Sequence, residues 1–410
     1  NNSAVVGGDT AGGICGTMGN NSELNLWLDK SIKDTSGKDT TSQSLGNITA
    51  NDFAGGVIGQ MNTGSVLTIK EMSKITSERT IKSNGKTVPN LNDGKTKNAA
   101  GGLVGKADGA KIEFAKDVSY TNSGTLNATV TNAPTASGAG GVFGVYSAAE
   151  GAEFNIDLRN YELTGTINVS ANAGGGFAGR FELKGNDTES SAAKITIYNE
   201  TAKDANSDVD FKVKSNKGTV GGIIGKILNV NGNLKNTFTI KNVKTELTLN
   251  GDNSQNGGGI VGDLGWYRES KGRTYLKIDG TNNITINKGE AKGNTGGIAY
   301  SVYSSFLDIC GENTISGNVR SGVVDKVVDC NNKGSGDYYG SVVRFSGKTD
   351  LSGVEDVKTA LLVNLQTDGG KDDGLIYALG SGSDYDSDTG TGWTYIRPTD
   401  ATKKIEDVAP

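Results

Sequence analysis

A five-residue phrase recurs eight times in the first 300 residues of this chain: two glycines, two apolar residues and a third glycine. Its copies occupy residues 12–16, 55–59, 101–105, 140–144, 175–179, 221–225, 258–262 and, in a degenerate form that ends in tyrosine, 296–300. Successive copies begin 35–46 residues apart. A repeat of roughly 20–50 residues is typical of solenoids, propellers and other arrays of stacked units. The phrase therefore constrains the architecture of the chain more than any other feature does.

Two further apolar segments follow each of the first seven phrases, and both alternate apolar with polar residues. In the fourth repeat the first segment contains Phe154, Ile156 and Leu158, and the second contains Ile167 and Val169. Alternation with a period of two, rich in β-branched residues, predicts half-buried strands. The 3.6-residue period of a helix is not evident in any segment of comparable length.

Three apolar segments in a constant order predict an all-β fold, namely a parallel β-helix (β-solenoid) with about three strands in each repeat of 35–46 residues. Parallel crossovers are nearly always right-handed, so we expect a right-handed helix. A propeller of four-stranded blades is the alternative, but each repeat has three segments and no Trp-Asp signature. Solenoid repeats are expected over residues 1–300, and divergent solenoid rungs or a transition segment over residues 301–410.

The glycine phrase itself allows two interpretations. As a structural element it is a strand covered on both faces, because two neighbouring residues are apolar. Its glycines then either adopt a positive φ at a corner or let another backbone approach closely. As a functional element it is a flat, exposed apolar stripe that packs on a partner or on a neighbouring copy of the chain.

The composition argues against several classes of function. The chain has 410 residues, a net charge of −5 and no histidine. Its cationic residues are interspersed with acidic ones, so nucleic acid is not an expected partner. The apolar runs are all far shorter than the roughly 18–20 residues that span a bilayer, so no membrane insertion is expected in this segment. Since the chain begins at Asn1, just before a repeat, we expect a piece of a longer or processed protein.

Residues 100–110, Ala-Gly-Gly-Leu-Val-Gly-Lys-Ala-Asp-Gly-Ala, resemble the GLUG motif, a glycine-rich repeat of large bacterial surface and secreted proteins. As a repeat, the resemblance covers residues 12–300. It implies an extracellular, cell-attached bacterial protein, because the motif occurs in immunoglobulin A peptidases and in adhesins similar to filamentous haemagglutinin. The motif is scaffold and implies no catalytic residue. A zinc-peptidase motif is excluded because the chain has no histidine.

These features together predict a structural and adhesive segment, a stiff stalk or adhesin at the cell surface. The expected partners are other surface proteins, glycans or copies of the same chain. One alternative is a carbohydrate-binding or polysaccharide-degrading β-helix protein, and another is a subunit of an extracellular filament or surface layer. An enzyme that cleaves polysaccharides needs clustered carboxylates. The carboxylates here are scattered along the sequence, so no catalytic residues are assigned.

The best candidate for a cofactor site in the sequence is a calcium site. Asp384, Asp386 and Asp388 alternate just before Gly390 and bring together the hard oxygen ligands that Ca²⁺ prefers. The pattern departs from an EF-hand loop, because the glycine falls one place late and Tyr395 stands where a bidentate glutamate belongs. The alternative is a solvated acidic turn between two strands, with no bound cofactor at all.

Two other groups of residues are candidates for function. Aromatic side chains outside the alternating segments could stack on sugar rings, or could instead cap or pad the rungs. These glycan-contact candidates are Trp266, Tyr267, Tyr338, Tyr339, Trp393 and Tyr395. Cys310 and Cys330 lie about one short rung apart and are a disulfide candidate if they stack, since bridged cysteines need Cα atoms about 4.4–6.8 Å apart. The alternative is two buried thiols.

Overall fold

The chain folds into long stacks of parallel strands, which confirms the predicted all-β, parallel β-helix class. The computed structural model describes residues 4–28, 46–72, 74–85, 98–132, 136–184, 192–230, 236–251, 255–265, 274–288, 295–302, 305–319, 342–345, 347–354, 375–379 and 393–396. Within these ranges the one helical element is a 3-10 turn at Leu158–Asn160. Each of the eight turns between residues 5 and 309 passes through four sheets in order, which we number 1 to 4.

The strands are numbered in chain order and are grouped here by sheet. Sheet 1 contains β1 (Val5–Val6), β5 (Ile48–Ala50), β9 (Arg79–Ser83), β14 (Leu126–Val130), β19 (Thr166–Ser170), β23 (Phe211–Ser215), β27 (Lys244–Leu249), β31 (Thr281–Lys288), β35 (Glu312–Gly317) and β37 (Lys348–Val354). Sheet 2 contains β2 (Thr10–Gly12), β6 (Phe53–Gly55), β10 (Ala99–Gly101), β15 (Gly138–Gly140), β20 (Ala173–Gly175), β24 (Thr219–Gly221), β28 (Asn256–Gly258) and β32 (Thr295–Gly296).

The other two sheets complete each turn. Sheet 3 contains β3 (Cys15–Met18), β7 (Ile58–Met61), β11 (Val104–Asp108), β16 (Phe143–Ser147), β21 (Ala178–Leu183), β25 (Ile224–Asn229), β29 (Val261–Leu264) and β33 (Ala299–Val302). Sheet 4 is divided into two blocks. Block 4a contains β4 (Glu23–Leu28), β8 (Val66–Met72) and β12 (Lys111–Phe114). Block 4b contains β17 (Glu153–Asp157), β22 (Lys194–Tyr198), β26 (Thr237–Lys241), β30 (Tyr275–Asp279), β34 (Phe306–Ile309), β36 (Val342–Phe345), β38 (Leu375–Leu379) and β39 (Trp393–Ile396).

Successive copies of the glycine phrase stack in register, as their regular recurrence predicts. In sheet 2 the first glycines of neighbouring phrases are ladder partners, for example Gly55 with Gly101 and Gly101 with Gly140. The apolar residues that follow are also aligned, because the N–H of Leu103 donates to the carbonyl oxygen of Val142 at 3.1 Å. The same ladder arrangement holds in sheet 4, where Ile156 is the register partner of Ile197.

The prediction of about three strands per repeat is wrong for the glycine phrase, which does not form a single strand. Its first glycine ends a strand of sheet 2 and its second apolar residue starts a strand of sheet 3, so each turn has four principal strands. Between them the chain bends at the second glycine and the first apolar residue, Gly102 and Leu103 in the third copy. We call the two strands and this bend the glycine crease.

Close backbone approach is the reason for the glycines in the crease. A Cβ at Gly101 would lie 1.9 Å from the carbonyl oxygen of Val104, and one at Gly105 would lie 2.7 Å from that of Ala54. Sheets 2 and 3 therefore face each other directly across these glycines. All glycines of the eight phrases lie within the described residues, and none has a positive φ. The corner interpretation with positive φ is therefore wrong, and the close-approach interpretation is confirmed.

The bend of the crease points into the core, not towards solvent. A Cβ at the second glycine, Gly102, would lie 2.5 Å from a side-chain carbon of Leu126 in sheet 1. The apolar residues at the bend, such as Val57, Leu103 and Val142, are fully buried. The interpretation of the phrase as an exposed apolar stripe is thus wrong. Only the first copy, at the end of the stack, leaves its apolar residue Ile14 substantially exposed among those described.

Parallel stacking continues past residue 300 through β34 and β36 in sheet 4 and through β35 and β37 in sheet 1. The last two strands of block 4b, β38 and β39, are instead antiparallel to their neighbours. The hand of the helix remains a prediction.

Candidate functional site

Most of the site residues predicted from the sequence lie outside the described ranges. These residues are Trp266, Tyr267, Tyr338, Tyr339, Asp384, Asp386, Asp388 and Cys330. Trp393 and Tyr395 belong to β39, where they are register partners of Leu379 and Tyr377. Cys310 directly follows β34. The calcium site, the glycan contacts and the disulfide therefore all remain predictions.

An opening in the strand stack is the main candidate site. Sheets 1, 2 and 3 continue without interruption from the third turn to the fourth, through the pairs β9–β14, β10–β15 and β11–β16. A short ladder between Tyr120–Thr121 (β13) and Tyr161–Glu162 (β18) also joins the segments that follow sheet 4 in these turns. In sheet 4, however, β12 ends block 4a and β17 begins block 4b, and they are not paired with each other.

The apolar side chains beside this opening are incompletely buried. Every described strand of sheet 4 between β8 and β34 points two apolar residues towards the core. In most of these strands both residues are fully buried, such as Ile195 and Ile197 in β22. In β12 and β17 the equivalent residues are only half-buried, and they are Ile112, Phe114, Phe154 and Ile156. The opening thus exposes apolar surface that the other turns between β8 and β34 cover.

Aromatic rings form the floor of the opening. The ring of Tyr146 lies with its centroid 4.9 Å from that of Phe143 and 5.8 Å from that of Phe154. Its hydroxyl donates to the carbonyl oxygen of Ala110 at 2.7 Å, just before β12. Burial, together with the nearby charge of Asp108, raises the pKa of Tyr146 far above its ordinary value, so this hydroxyl stays protonated. Edge-to-face packing of this kind holds a rigid apolar surface in place.

A further ring pair, Phe114 and Tyr161, lies at the other end of the floor. The ring centroids are 5.1 Å apart and the ring planes are nearly perpendicular. The rim is polar, because Lys111 and Glu113 of β12 and Glu153 and Asn155 of β17 are exposed. The cleft between the two strands has a volume of about 120 Å³.

A charged contact lies at the end of β17. Partial burial acts to raise the pKa of Asp157, but hydrogen bonds from the guanidinium and the N–H of Arg159 outweigh it and lower the pKa. Arg159 also contacts Glu200 at 2.7 Å. Arg159 and Glu200 are largely exposed, so the contact between them adds little to stability.

A second, polar depression lies on the outer face of sheet 1. It is lined by outward side chains of successive turns, chiefly Asn127, Asn168, Lys214, Asn216 and Asn250. The amide of Asn168 donates to the side-chain oxygen of Asn127 at 2.7 Å, which orders the two amides along the stack. We call this surface the amide depression.

Buried ion pairs occur in sheet 3 and are structural in character. Lys226 and Asp263 are ladder partners, almost completely buried, with Nζ 3.2 Å from Oδ2. The hydroxyl of Ser301 donates to the other carboxylate oxygen at 2.5 Å. Burial raises the pKa of Asp263, although Lys226 acts to lower it. A second pair, Arg180 with Glu182, is buried to a similar degree. Because none of these groups reaches solvent, they carry no surface function.

Within the described residues, no three His, Cys, Asp or Glu side chains are grouped so that they could hold a metal ion. The described residues also contain no helix with the length and apolar character needed to cross a membrane. No family model, curated protein or solved structure matches this chain.

The opening was missed by the sequence analysis because alternation in β12 and β17 is as regular as in the paired strands. One signal was available, namely a concentration of aromatic residues in the third to fifth repeats. Among them are Phe114, Tyr120, Phe143, Tyr146, Phe154, Tyr161, Phe177 and Phe181. Rings need more room than aliphatic side chains, so their concentration indicates turns that stack less tightly.

The difference between the open and closed parts of sheet 4 leads to a stability prediction. Ile197→Ala should destabilise the protein by about 2–5 kcal/mol, the range for a fully buried large-to-small change. Its register partner Ile156 is half-buried beside the opening, so Ile156→Ala should cost less than half as much. Chemical denaturation of both variants measures the difference. Equal losses would mean that the two sites are equally buried and that sheet 4 is closed.

Proposed function

We propose that this chain is a structural and adhesive segment of an extracellular, cell-attached bacterial protein. The observation that carries the proposal is the unbroken parallel stack of sheet 1, which has ten strands. At a spacing of roughly 4.8 Å, ten strands extend over about 43 Å along the axis. The resemblance of residues 100–110 to the GLUG motif supports the bacterial cell surface as the location.

Stiffness follows from the way in which the turns are joined. Each inner strand of sheets 1, 2 and 3 is hydrogen-bonded to the turn before and to the turn after it. In the first seven turns the crease adds a second set of backbone contacts, because sheets 2 and 3 touch across its glycines. A stack of this kind resists bending, and it displays outward side chains at regular intervals for contacts that are spread over many turns.

The proposal is tested by adhesion of the isolated chain. Beads carrying the folded chain are mixed with cells, with purified glycans and with beads carrying the same chain. Beads carrying a variant shown to be unfolded serve as the control. Adhesion to cells or to other coated beads, lost with the unfolded variant, is the expected result. Adhesion no greater than that of the control would contradict the proposal. Growth of the free chain into filaments would instead favour a filament or surface-layer subunit.

The amide depression favours carbohydrate binding as a second candidate function. Side-chain amides and a lysine presented on a rigid face are suited to hydrogen-bonding the hydroxyl and carboxylate groups of a polysaccharide. The adjacent turns place Asn127, Asn168 and Lys214 in register in one column of sheet 1.

This candidate makes a prediction about one exposed residue. Lys214→Glu should weaken the binding of an acidic polysaccharide at least tenfold, because it reverses the charge of the depression. Thr248→Glu is the matched control, since Thr248 is the next residue of the same column but does not line the depression. A glycan array followed by calorimetry measures both. Equal effects of the two changes, or no binding by the wild-type chain, would argue against a carbohydrate site here.

A further inference from the structure

The opening between β12 and β17 is wider than the spacing of two paired strands. Hydrogen-bonded strands lie about 4.7–4.9 Å apart, so two strands that flank a vacant position are separated by about twice that distance. Nearly all Cα–Cα distances between β12 and β17 exceed 8 Å. The turns are nevertheless adjacent, because sheets 1, 2 and 3 pair directly on the same two turns. The stack is therefore splayed locally at sheet 4.

Both strands beside the opening present an edge. Within the described residues, β12 pairs as a strand only with β8, and β17 pairs only with β22. The opposite edges of β12 and β17 consequently face each other across the cleft. Unpaired backbone groups along an edge are a template for a further strand, and adding a strand to such an edge is a recurrent mode of peptide recognition. Here one inserted strand would satisfy two edges at once.

The side chains around the opening specify what the inserted strand contains. Ladder pairs on each side align Leu67 with Ile112 and Phe154 with Ile195. One apolar residue is therefore missing between Ile112 and Phe154. By the same register, a second is missing between Phe114 and Ile156, two positions further along. The strand that fits has two apolar residues separated by one polar residue.

The outward position between the two apolar residues would lie next to Glu113 and Asn155, both exposed. A hydroxyl or a cationic side chain suits this position, because a carboxylate there would face the carboxylate of Glu113. The volume of about 120 Å³ is well below the roughly 300–1,000 Å³ of small-molecule pockets. It suits a pair of inserted side chains, with the peptide backbone running along the mouth of the cleft.

We propose that the opening between β12 and β17 is a peptide-binding site that accepts an extended segment of another polypeptide as a parallel strand. Two apolar residues of this strand face the cleft, and the polar residue between them faces outward. The proposed adhesive role relies on contacts that are distributed over many turns, and this site would add a specific binding activity to them. The site does not require that role, because it depends only on the two edges and the apolar floor.

A synthetic peptide with the sequence of residues 192–199, Ala-Ala-Lys-Ile-Thr-Ile-Tyr-Asn, is a suitable probe. It contains β22, which already pairs with β17 on the other edge in this register. One control peptide has both isoleucines replaced by aspartate. A second control keeps every side chain but carries N-methyl groups on the central amides, so that it cannot donate backbone hydrogen bonds.

Hydrogen exchange of the full chain measures the outcome. Without peptide, amides of β12 and β17 on the side of the opening should exchange faster than those of β22. The probe should slow them at least tenfold, and neither control peptide should do so. Protection of these amides without peptide, at the level of β22, would mean that the edges are already covered and would overturn the proposal. Protection by an oligosaccharide but not by the peptide would overturn it in favour of a sugar site.

A substitution in the protein, instead of in the peptide, also tests the site. Ile112→Lys places a charge in the half-buried apolar ladder and should weaken peptide binding at least tenfold. Ile14→Lys is the matched control, because Ile14 is 44% exposed and lies at the end of the stack. Equal binding by both variants would contradict the proposal. If Ile112→Lys does not fold, the comparison of the probe with its N-methylated control on the wild-type chain still decides the question.

Discussion

Gly105→Ala should destabilise the solenoid severely, whereas Gly16→Ala should leave its stability nearly unchanged. Both residues are the third glycine of their phrase. The added Cβ at Gly105 would lie 2.5 Å from the carbonyl oxygen of Gly59 and 2.7 Å from that of Ala54. Overpacking against side chains costs about 1–3 kcal/mol. The loss here should exceed that range, because the crowded atoms are backbone atoms of two sheets and cannot rotate away.

The control works because Gly16 occupies the first turn of the stack. Its nearest neighbour outside the adjacent residues is 3.8 Å from the position that the added methyl group would take, an ordinary van der Waals distance. Thermal and chemical denaturation of both variants measure the difference. Similar stability of Gly105→Ala and Gly16→Ala would show that sheets 2 and 3 are not in contact through the glycine crease.

Breaking the buried pair of Lys226 and Asp263 should have the second large effect. Lys226→Met should destabilise the chain by about 3–5 kcal/mol at neutral pH, because it leaves a carboxylate buried without its partner. The double variant Lys226→Met/Asp263→Leu should recover most of this loss, since two apolar residues need no solvation. Chemical denaturation of the single and double variants gives the coupling between the two positions. A single variant as stable as the wild type would mean that the pair is exposed in solution.

The pH dependence of Lys226→Met follows from the same pair. Burial already raises the pKa of Asp263 above its ordinary value of 3.8, and loss of Lys226 should raise it further. Below the pKa that this carboxyl has in the unfolded chain, it is protonated in both states and does not affect the free energy of unfolding. As the pH rises above that pKa, the unfolded chain loses the proton more readily than the folded one, so the fold becomes less stable. The free energy of unfolding of the variant should therefore be close to that of the wild type near pH 4 and well below it at pH 7. A difference that does not change with pH would exclude Asp263 as its source.

The strands and their order could be predicted from the sequence because both depend on local patterns. Alternating residues such as Ile195 and Ile197 face the core in the register that their repeat position predicts. The division of the glycine phrase could not be predicted. A glycine is permissive both for positive φ and for close contact, so the phrase alone does not distinguish a corner from a crease. That distinction depends on atoms of the facing sheet, such as the carbonyl oxygen of Ala54 beside Gly105.

The opening in sheet 4 could not be predicted for a related reason. Ile112 and Phe154 follow the same alternation as residues of closed turns, and period-two patterning specifies which face is apolar but not which neighbour covers it. The opening lies where rings from several turns, Tyr146 among them, contact one another, and such contacts between distant residues are not visible in a local pattern. The candidates chosen from the sequence were instead conspicuous by residue type, as with the alternating carboxylates of Asp384, Asp386 and Asp388.

Disulfide trapping across sheet 4 tests the central claim most directly, namely an in-register parallel stack that is open at one position. The native cysteines are first replaced by serine. Glu153→Cys with Lys194→Cys joins two exposed register partners, whose Cα atoms are within reach of a disulfide. Lys111→Cys with Glu153→Cys joins the equivalent positions on the two sides of the opening. We expect the first pair to oxidise rapidly and the second to remain reduced. Rapid oxidation of both pairs would contradict the opening, and failure of the first pair would contradict the stack itself.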